Sequence, residues 1–479
     1  MPSFQSNVTE PLYIPAYPHF DGPLSQASAR ELIADPRQVA QHCFSPFLRR
    51  RSVKRKFRGP KGTTIAAKSK HRLITYAGRS DSVIFRQYRA ILSERYEHLL
   101  RLRGLEDCVL AYRSIPSARG HNKSNIDFAI EAFDVIRRMG ECTVFCLDIK
   151  SFFDTIAHDD VATVWKILLE VNHLPDDHFA VMNAATKYSF IEEKAVLGIL
   201  GFFGEKQSAN GTSSRGYLMP RRSLPTRLCD RATFSKKIAP NVTVNKSGIP
   251  QGLPISDVLA NAVLLQFDLQ MKGRCELLAG QYYRYCDDLL FVIPGKLADP
   301  SAWILEIDTA LGHTNRTLKL GHDKTVAYAV EPLPNGEQRV TSLSCSRKAI
   351  PTIDYLGLSY DGVSIYLRQS TLSRLERRIV DRVRRHVLSR LRDDPNATQR
   401  EILSRLHLQG IMREFGRIEG FCRSNKCAST RGPNRNFRCY AVRASEACGF
   451  KVSEILKQIS HLNDFIRARA KREVRKLRP

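Results

Sequence analysis

"RYCDDLLFV", residues 284 to 292, sets two adjacent carboxylates, Asp287 and Asp288, inside a run that otherwise has the composition of a buried strand. Short apolar runs rich in β-branched and aromatic residues form strands, where neighbouring side chains point to opposite faces. The two aspartates therefore cannot share one solvated face, and unpaired charge beside a core is costly. A tight turn into solvent, a salt bridge or a bound metal would each relieve that cost. A hairpin centred on Cys286 to Asp288 presents both carboxylates at its tip. The salt-bridge reading needs a basic partner that the local sequence does not identify.

The whole chain has 479 residues, 43% of them hydrophobic and 26% charged, enough for roughly two to four subdomains with real cores. Its 75 Lys and Arg against 48 Asp and Glu leave a net charge of +27. Such an excess attracts polyanions, and nucleic acid is the natural partner. No uninterrupted apolar stretch reaches the roughly 18 residues of a membrane span, and no basic-then-apolar leader opens the chain. A soluble, cytoplasmic protein with no membrane partner is expected. The 12 cysteines are scattered and read as reduced thiols. Cys422, Cys427, Cys439 and Cys448 lack the paired Cys-x-x-Cys knuckles of a zinc site and are read as thiols of a helical region.

Residues 1–64 form an N-terminal basic extension. "EPLYIPAYPHFDGP" (10–23) is an extended segment that packs on something, and "RRRSVKRKFRGPKG" (49–62) is an arm suited to phosphate contact. "KSKHRLITY" (68–76) reads as a strand flanked by bases. "VIFRQYRAILSERYEHLL" (83–100) and "SNIDFAIEAFDVIRRM" (124–139) carry apolar residues at helical spacing. In "VFCLDIKSFFDTI" (144–156) a buried-strand run ends on Asp148, at a point where a rigid scaffold can hold a carboxylate. Asp154, six residues on, reads by itself as a cap for the next helix. In "SGIPQGLPISDVLANAVLLQFD" (247–268) a loop rich in Gly and Pro feeds a helix, and Gly252 allows close approach of backbone to a ligand. Asp148, Asp287 and Asp288, three aspartates from two strand ends, suit two Mg²⁺ ions, or Mn²⁺ in their place. Such ions take hard oxygen ligands and drive in-line phosphoryl displacement.

The order and wording of these stretches resemble the palm motifs of reverse transcriptases. "LDIKSFFD" is similar to motif A, "GIPQGLPIS" to motif B, "YCDD" to motif C, "LKLGHDKT" to motif D and "DYLGLSY" to the motif E turn, while "KSKHRLI" and "CVLAYRS" are similar to finger strands. The resemblance covers roughly residues 65 to 370. It implies an α+β right-hand polymerase fold: fingers and palm over 65–369, with a basic insertion near 200–245, and a mostly helical, basic thumb and RNA-binding region over 370–479. It makes Asp148, Asp287 and Asp288 the metal-binding catalytic carboxylates. Lys324 stands where the family keeps a lysine that protonates pyrophosphate. Phe153 takes the steric-gate position, the alternative being that Phe152 and Phe153 both belong to the core. Gln251 and Gly252 line the incoming nucleotide, while Lys70 and Arg72 reach its triphosphate.

In "STLSRLERRIVDRVRRHVLSRLR" (370–392), Leu372, Leu375, Ile379, Val383 and Val387 form an apolar stripe opposite an arginine face. On a thumb, Arg374, Arg377, Arg378, Arg382 and Arg385 would hold a primer–template backbone. Where many relatives have Pro after the motif B Ser, Asp257 stands here, able to alter the loop or cap the next helix. "AYRSIPSARGHNKSNIDFAIEAF" (111–133) is closer to the bacterial reverse transcriptases of the unknown groups, relatives of retron and group II intron enzymes, many of them tied to antiphage defence. The resemblance thus implies an RNA-directed DNA polymerase that uses dNTPs and an RNA template, an associated noncoding RNA, to make a DNA product in antiphage defence. Alternatives stay open: a template-independent or protein-primed nucleotidyl transferase, or an RNA-binding protein of the maturase kind. The sequence also leaves open a homo-oligomer and the identity of the priming group.

Overall fold

The computed structural model describes residues 11–54, 70–118, 120–207, 213–343, 352–416, 436–449 and 454–477. In chain order the strands are β1 (Phe47–Lys54), β2 (Lys70–Tyr76), β3 (Cys142–Asp148), β4 (Ser189–Glu192), β5 (Phe203–Gln207), β6 (Ser213–Tyr217), β7 (Thr243–Val244), β8 (Gln281–Tyr285), β9 (Asp288–Pro294), β10 (Val326–Pro332), β11 (Gln338–Ser342), β12 (Ile353–Tyr355), β13 (Leu358–Tyr360) and β14 (Ile365–Leu367). With the helices between them they make a mixed α+β fold.

The central sheet has the order β11-β10-β3-β9-β8, every pairing antiparallel. β3 lies in its middle, which explains its unbroken apolar run: both faces are covered. Phe145 and Leu147 point into one core with Leu289, Phe291 and Ile293 of β9. Cys142 and Val144 point into the other with Leu290, Val292 and Tyr328. The first core is closed by the helices Arg79–Leu102, Ser256–Ala262, Leu265–Leu277 and Pro300–Thr314. The second is closed by the helix Asn125–Met139 and by the C-terminal helices. At the start of Asn125–Met139 the Asp127 carboxylate accepts from Ser124 N at 2.8 Å, completing a capping box. The expected motif E turn is the β12–β13 hairpin, whose Leu356 and Gly357 both have positive φ (44° and 96°), as a two-residue turn of this hand requires.

A second sheet, β2-β1-β4-β7, covers the N-terminal side. β1 pairs with β2 from Leu48↔Tyr76 to Lys54↔Lys70 and runs parallel to β4. The expected boundary at residue 64 therefore falls between two paired strands: residues 47–54 are a sheet strand paired with β2 and, at 47–49, also with β4, not part of a separate extension. Of the expected basic arm, residues 55–62 lie outside the described residues.

The basic insertion near 200–245 keeps its basic side chains exposed and is anchored by a small core. Leu228 and Ile238 are buried with Leu48, Ile191, Val196 and Phe20, and Phe203, Tyr217 and Phe234 pack against them. The N-terminal segment threads between this insertion and the rest. His19 N donates to Thr226 O at 3.1 Å and Leu228 N to His19 O at 2.8 Å. Arg79, 2% exposed, donates to Tyr17 O at 2.6 Å and to the Asp21 carboxylate at 3.0 Å. "CVLAYRS" is not a strand. Val109 makes a lone bridge to Arg284, and Tyr112, with φ 62°, breaks the extended run. The segment is a loop laid along β8.

In the long helix Gln369–Asp393, Leu375, Ile379, Val383 and Val387 are buried and Leu372 packs at the edge of the same core. The arginine face divides. Arg374 and Arg385 are exposed and donate within their own helix, Arg374 to Ser370 O and Thr371 Oγ1 and Arg385 to Asp381 O. Arg377 is half-buried. Arg378 lies over the Phe415 ring, 5.3 Å from its centre, and Arg382 pairs with Glu414 at 3.1 Å. Those two guanidiniums also serve the contact with the helix Leu408–Phe415. Cys439 is buried and Cys448 half-buried, both as free thiols, while Cys422 and Cys427 lie outside the described residues. Among the described residues no helix is long and apolar enough to cross a membrane.

Candidate active site

The β8–β9 hairpin turns at Cys286 and Asp287, with Tyr285 paired to Asp288 across it. Cys286 adopts φ 60°, the left-handed backbone that a tight two-residue turn demands and that a cysteine rarely takes. Asp287 is thereby lifted to the tip while Asp288 opens β9. Register does the rest, because Asp288 stands directly opposite Asp148 at the end of β3. Ile149 N donates to Asp287 O at 2.9 Å and Gly321 N to Asp148 O at 2.7 Å, clamping both backbones. Two stretches far apart in the chain so bring three carboxylates to one strand end.

The charges there are strained. Asp288 is open to solvent on one side and crowded on the other. Lost hydration on the crowded side, then the Asp287 and Asp148 charges, push its carboxyl up to about 6, against the pull of Lys324 and Arg368. Lys324 forms an ion pair with Asp148, the basic partner that no local reading identifies. Since the folded-state value of Asp288 exceeds the ordinary 3.8, the folded chain keeps this proton across a window, about pH 4 to 6, in which an unfolded chain has lost it. Stability from that proton is full below the window and is lost as pH rises through it. Asp288→Asn should therefore melt above the wild type in metal-free buffer, the gap opening between pH 4 and 6. Thermal denaturation checks this, and an equal gap at pH 4 and 7 would remove the charge strain from the site.

A cleft of about 620 Å³ opens over Asp148 and Asp287, lined also by Lys324, Arg72, Phe153, Gln251 and Gly252, while Asp288 stands beside it and is not among the lining residues. Arg72 is exposed at its rim on β2. The backbone of Lys70 lies on the same strand, but its side chain falls outside what is described. Phe152 is buried at 2% exposure while Phe153 is half-buried in the cleft wall, their rings edge to face at 5.7 Å. Asp154 belongs to the short helix Phe152–Thr155 and does not cap the next helix, which begins after Ala157.

The loop before the helix Ser256–Ala262 explains its glycines. Thr75 N donates to Gln251 O at 2.8 Å, so the loop is hydrogen-bonded to β2. A Cβ on Gly252 (φ 121°) would lie 2.5 Å from Thr75 O, and one on Gly248 (φ 72°) would lie 2.6 Å from Phe153 O. The close approach that Gly252 permits is thus to a neighbouring strand, and this places Gln251 over the cleft. Asp257 neither distorts the loop nor serves only as a cap. It binds Arg89 through both oxygens at 2.8–3.0 Å and also accepts from Val258 N at 2.7 Å.

Two features escape the sequence reading. Tyr112 lines the cleft, 47% exposed, and its hydroxyl donates to Cys286 Sγ at 3.4 Å. Arg284, which looks like a solvated base beside the aspartates, is wholly buried against Asp268. A tyrosine in a loop has no local signature. The alternation of β8, which puts Arg284 on the same face as the apolar Tyr282, could have found the second.

Telomerase structures are remotely similar. That of apo telomerase from Candida tropicalis aligns at 10% identity and a TM-score of 0.38 over 88% of this chain and 65% of that one. Telomerase from Candida albicans with a TWJ fragment of telomeric RNA aligns at 13% identity and a TM-score of 0.36, over 87% and 63%. A C. tropicalis telomerase truncated of its C-terminal domain aligns at 10% identity and 0.37, over 67% and 55%. The chain spans 55% to 65% of the length of these telomerase chains. No protein-family model and no curated protein matches it. Likeness this remote carries no functional inference.

Proposed function

We propose that the chain is an RNA-directed DNA polymerase that extends a primer with dNTPs. The observation that carries this reading is the register that sets Asp288 against Asp148 with Asp287 at the adjoining turn, under a cleft walled by Phe153, Gln251 and Arg72. In this reading the β2-β1-β4-β7 sheet and its insertion act as fingers, the central sheet as palm and the C-terminal helices as thumb. The wording of the motifs supports the finer assignment to bacterial, defence-associated enzymes that copy a noncoding RNA.

Among the described residues no group of three or more His, Cys, Asp or Glu converges tightly enough to hold a metal ion unaided. The donors that do face the cleft are hard carboxylate oxygens, which fit Mg²⁺, an ion that completes its shell from substrate phosphates. Asp148, Asp287 and Asp288 would hold two such ions, which when bound supply charge neutralisation for the attacking 3′ hydroxyl and the leaving pyrophosphate. The chain's own groups orient the reaction. Arg72, with Lys70, takes the triphosphate by charge-assisted hydrogen bonds. Gln251 and Gly252 carry the nucleotide, and the Phe153 ring excludes a ribose 2′ hydroxyl. Lys324, whose ammonium rests on Asp148, is the proton donor for pyrophosphate.

Purified protein given an RNA template, a DNA primer and dNTPs should yield DNA whose sequence complements the template and whose synthesis RNase pretreatment stops. Homopolymer DNA indifferent to RNase would make it an untemplated transferase, and RNA binding without synthesis would make it a maturase-like protein. On the helix Gln369–Asp393, neutralising Arg374 and Arg385 should flatten the log–log salt dependence of primer–template binding by about two units. Neutralising Arg378 and Arg382 should instead lower the melting temperature, because Phe415 and Glu414 lose their partners. Binding isotherms at several salt concentrations check this, and an unchanged slope would make the exposed pair merely solvated.

A further inference from the structure

β8 is the outer strand of the central sheet, so the turn carrying Asp287 is supported by a neighbouring strand on one side alone. On the other side stands a buried polar network. Arg284 and Asp268 are each 0% exposed and joined through both guanidinium nitrogens that face the carboxylate, at 2.6 and 2.7 Å. Tyr282 donates its hydroxyl to the same carboxylate at 2.8 Å. Arg284 also donates to Asn261 Oδ1 at 3.0 Å and Asn261 O at 3.1 Å, and reaches Cys286 O in the turn at 3.4 Å. Asn261 Nδ2 donates in turn to Ala111 O at 2.7 Å, next to Tyr112, whose hydroxyl meets Cys286 Sγ. The main chain completes the frame: Arg284 N donates to Cys108 O at 2.8 Å and Leu110 N to Arg284 O at 2.9 Å.

A buried ion pair is poor value for stability alone, since a well-packed apolar pair of similar volume does as well or better, whereas it does fix geometry when every donor is matched. The Arg284 side chain thus ties the turn, at Cys286 O, to Asp268 and Asn261 on the two neighbouring helices, with a long contact to the Tyr96 hydroxyl at 3.5 Å behind it. We propose that Arg284 is a positioning residue: with Asp268 and Asn261 it sets the height and tilt of the Cys286–Asp287 turn, and hence the separation of the Asp287 and Asp148 carboxylates available to a divalent cation. This rests on the reading of Asp287 as a metal ligand. Arg284 touches neither substrate nor ion and acts through the turn. A lysine cannot reproduce a planar fork that serves Asp268, Asn261 and Cys286 O together.

The test is titration of the full-length protein with Mn²⁺, followed by electron paramagnetic resonance, alongside Mg²⁺-dependent dNTP incorporation. The variants are Arg284→Lys and the double variant Arg284→Met, Asp268→Leu, which removes both charges and keeps an apolar fill. Asp287→Ala serves as the control for lost ligation. Melting temperature and primer–template binding identify the variants that fold, and Arg284→Lys is read if the double variant does not. A folded variant should bind Mn²⁺ about tenfold more weakly and raise the Mg²⁺ concentration for half-maximal kcat by a similar factor, with KM for the primer–template unchanged. Wild-type Mn²⁺ affinity in a folded variant overturns the proposal and leaves the network as core structure. Should wild type bind Mn²⁺ more tightly than the variants yet make no DNA, the positioning role stands and the polymerase reading falls.

Discussion

Replacing Asp287 and Asp288 together with Ala is expected to lower dNTP incorporation by at least about a thousandfold while leaving the fold and RNA binding in place. The size follows from what the carboxylates are there to do. Charge developing on the attacking and leaving oxygens is stabilised by ions that these side chains hold, and removal of such electrostatic support typically costs about 100- to 1,000-fold per interaction. The fold should survive because the pair is already under repulsion. Lost hydration and the Asp287 and Asp148 charges push the Asp288 carboxyl up, so removal of its charge relieves the chain. Primer extension, circular dichroism and RNA binding on the same preparation check all three claims. A variant that loses RNA binding along with synthesis would put the aspartates in the structure and not in the chemistry.

Phe153→Ala should change what is incorporated more than how fast. The ring is half-buried in the cleft wall and leans edge to face on Phe152, so truncation opens the cleft without emptying the core. Discrimination against ribonucleotides, measured as the ratio of kcat/KM for dNTP and rNTP, should fall by about 10- to 100-fold, the range expected when a pocket stops rejecting a single hydroxyl by shape. Phe152→Ala is the internal contrast. With the side chain 2% exposed, that change should cost about 3 kcal/mol or more of stability without selectively admitting ribonucleotides. If Phe153→Ala leaves the ratio unchanged, the gate lies elsewhere in the cleft, with Tyr112 the next residue to truncate.

The local elements were legible because their causes are local. The apolar run ending at Asp148, the alternation through Tyr282 to Leu290, and the capped helix at Asn125 each carry a period or turn chemistry within a few residues. The segment Cys108–Ser114 was not. Its wording resembles a finger strand, but it meets β8 through a single bridge, Val109 to Arg284, and the left-handed Tyr112 ends the extended run before a ladder can form. In residues 200–245 the basic side chains Arg221, Arg222, Arg227, Arg231, Lys236 and Lys237 are exposed, while Leu228 and Ile238 find a core only because the N-terminal segment and β1 come from far along the chain to meet them.

Sequence by itself determined that a hairpin would turn beside the carboxylate pair, though Asp287 alone sits at its tip and Asp288 opens β9, that a third carboxylate would end a buried strand, and that a basic, mixed α+β chain would surround them. Only the tertiary structure decided that Asp288 faces Asp148 in register, that Lys324 reaches Asp148 across 176 positions, that the backbone beside Gly252 is Thr75, and that Arg284 belongs to the core. The physical reason is range. Turn chemistry and hydrophobic period act between neighbours in the chain, whereas strand register and the partner of a buried charge are chosen by the packing of distant segments, where the cost of an unmatched group is settled over the whole fold at once.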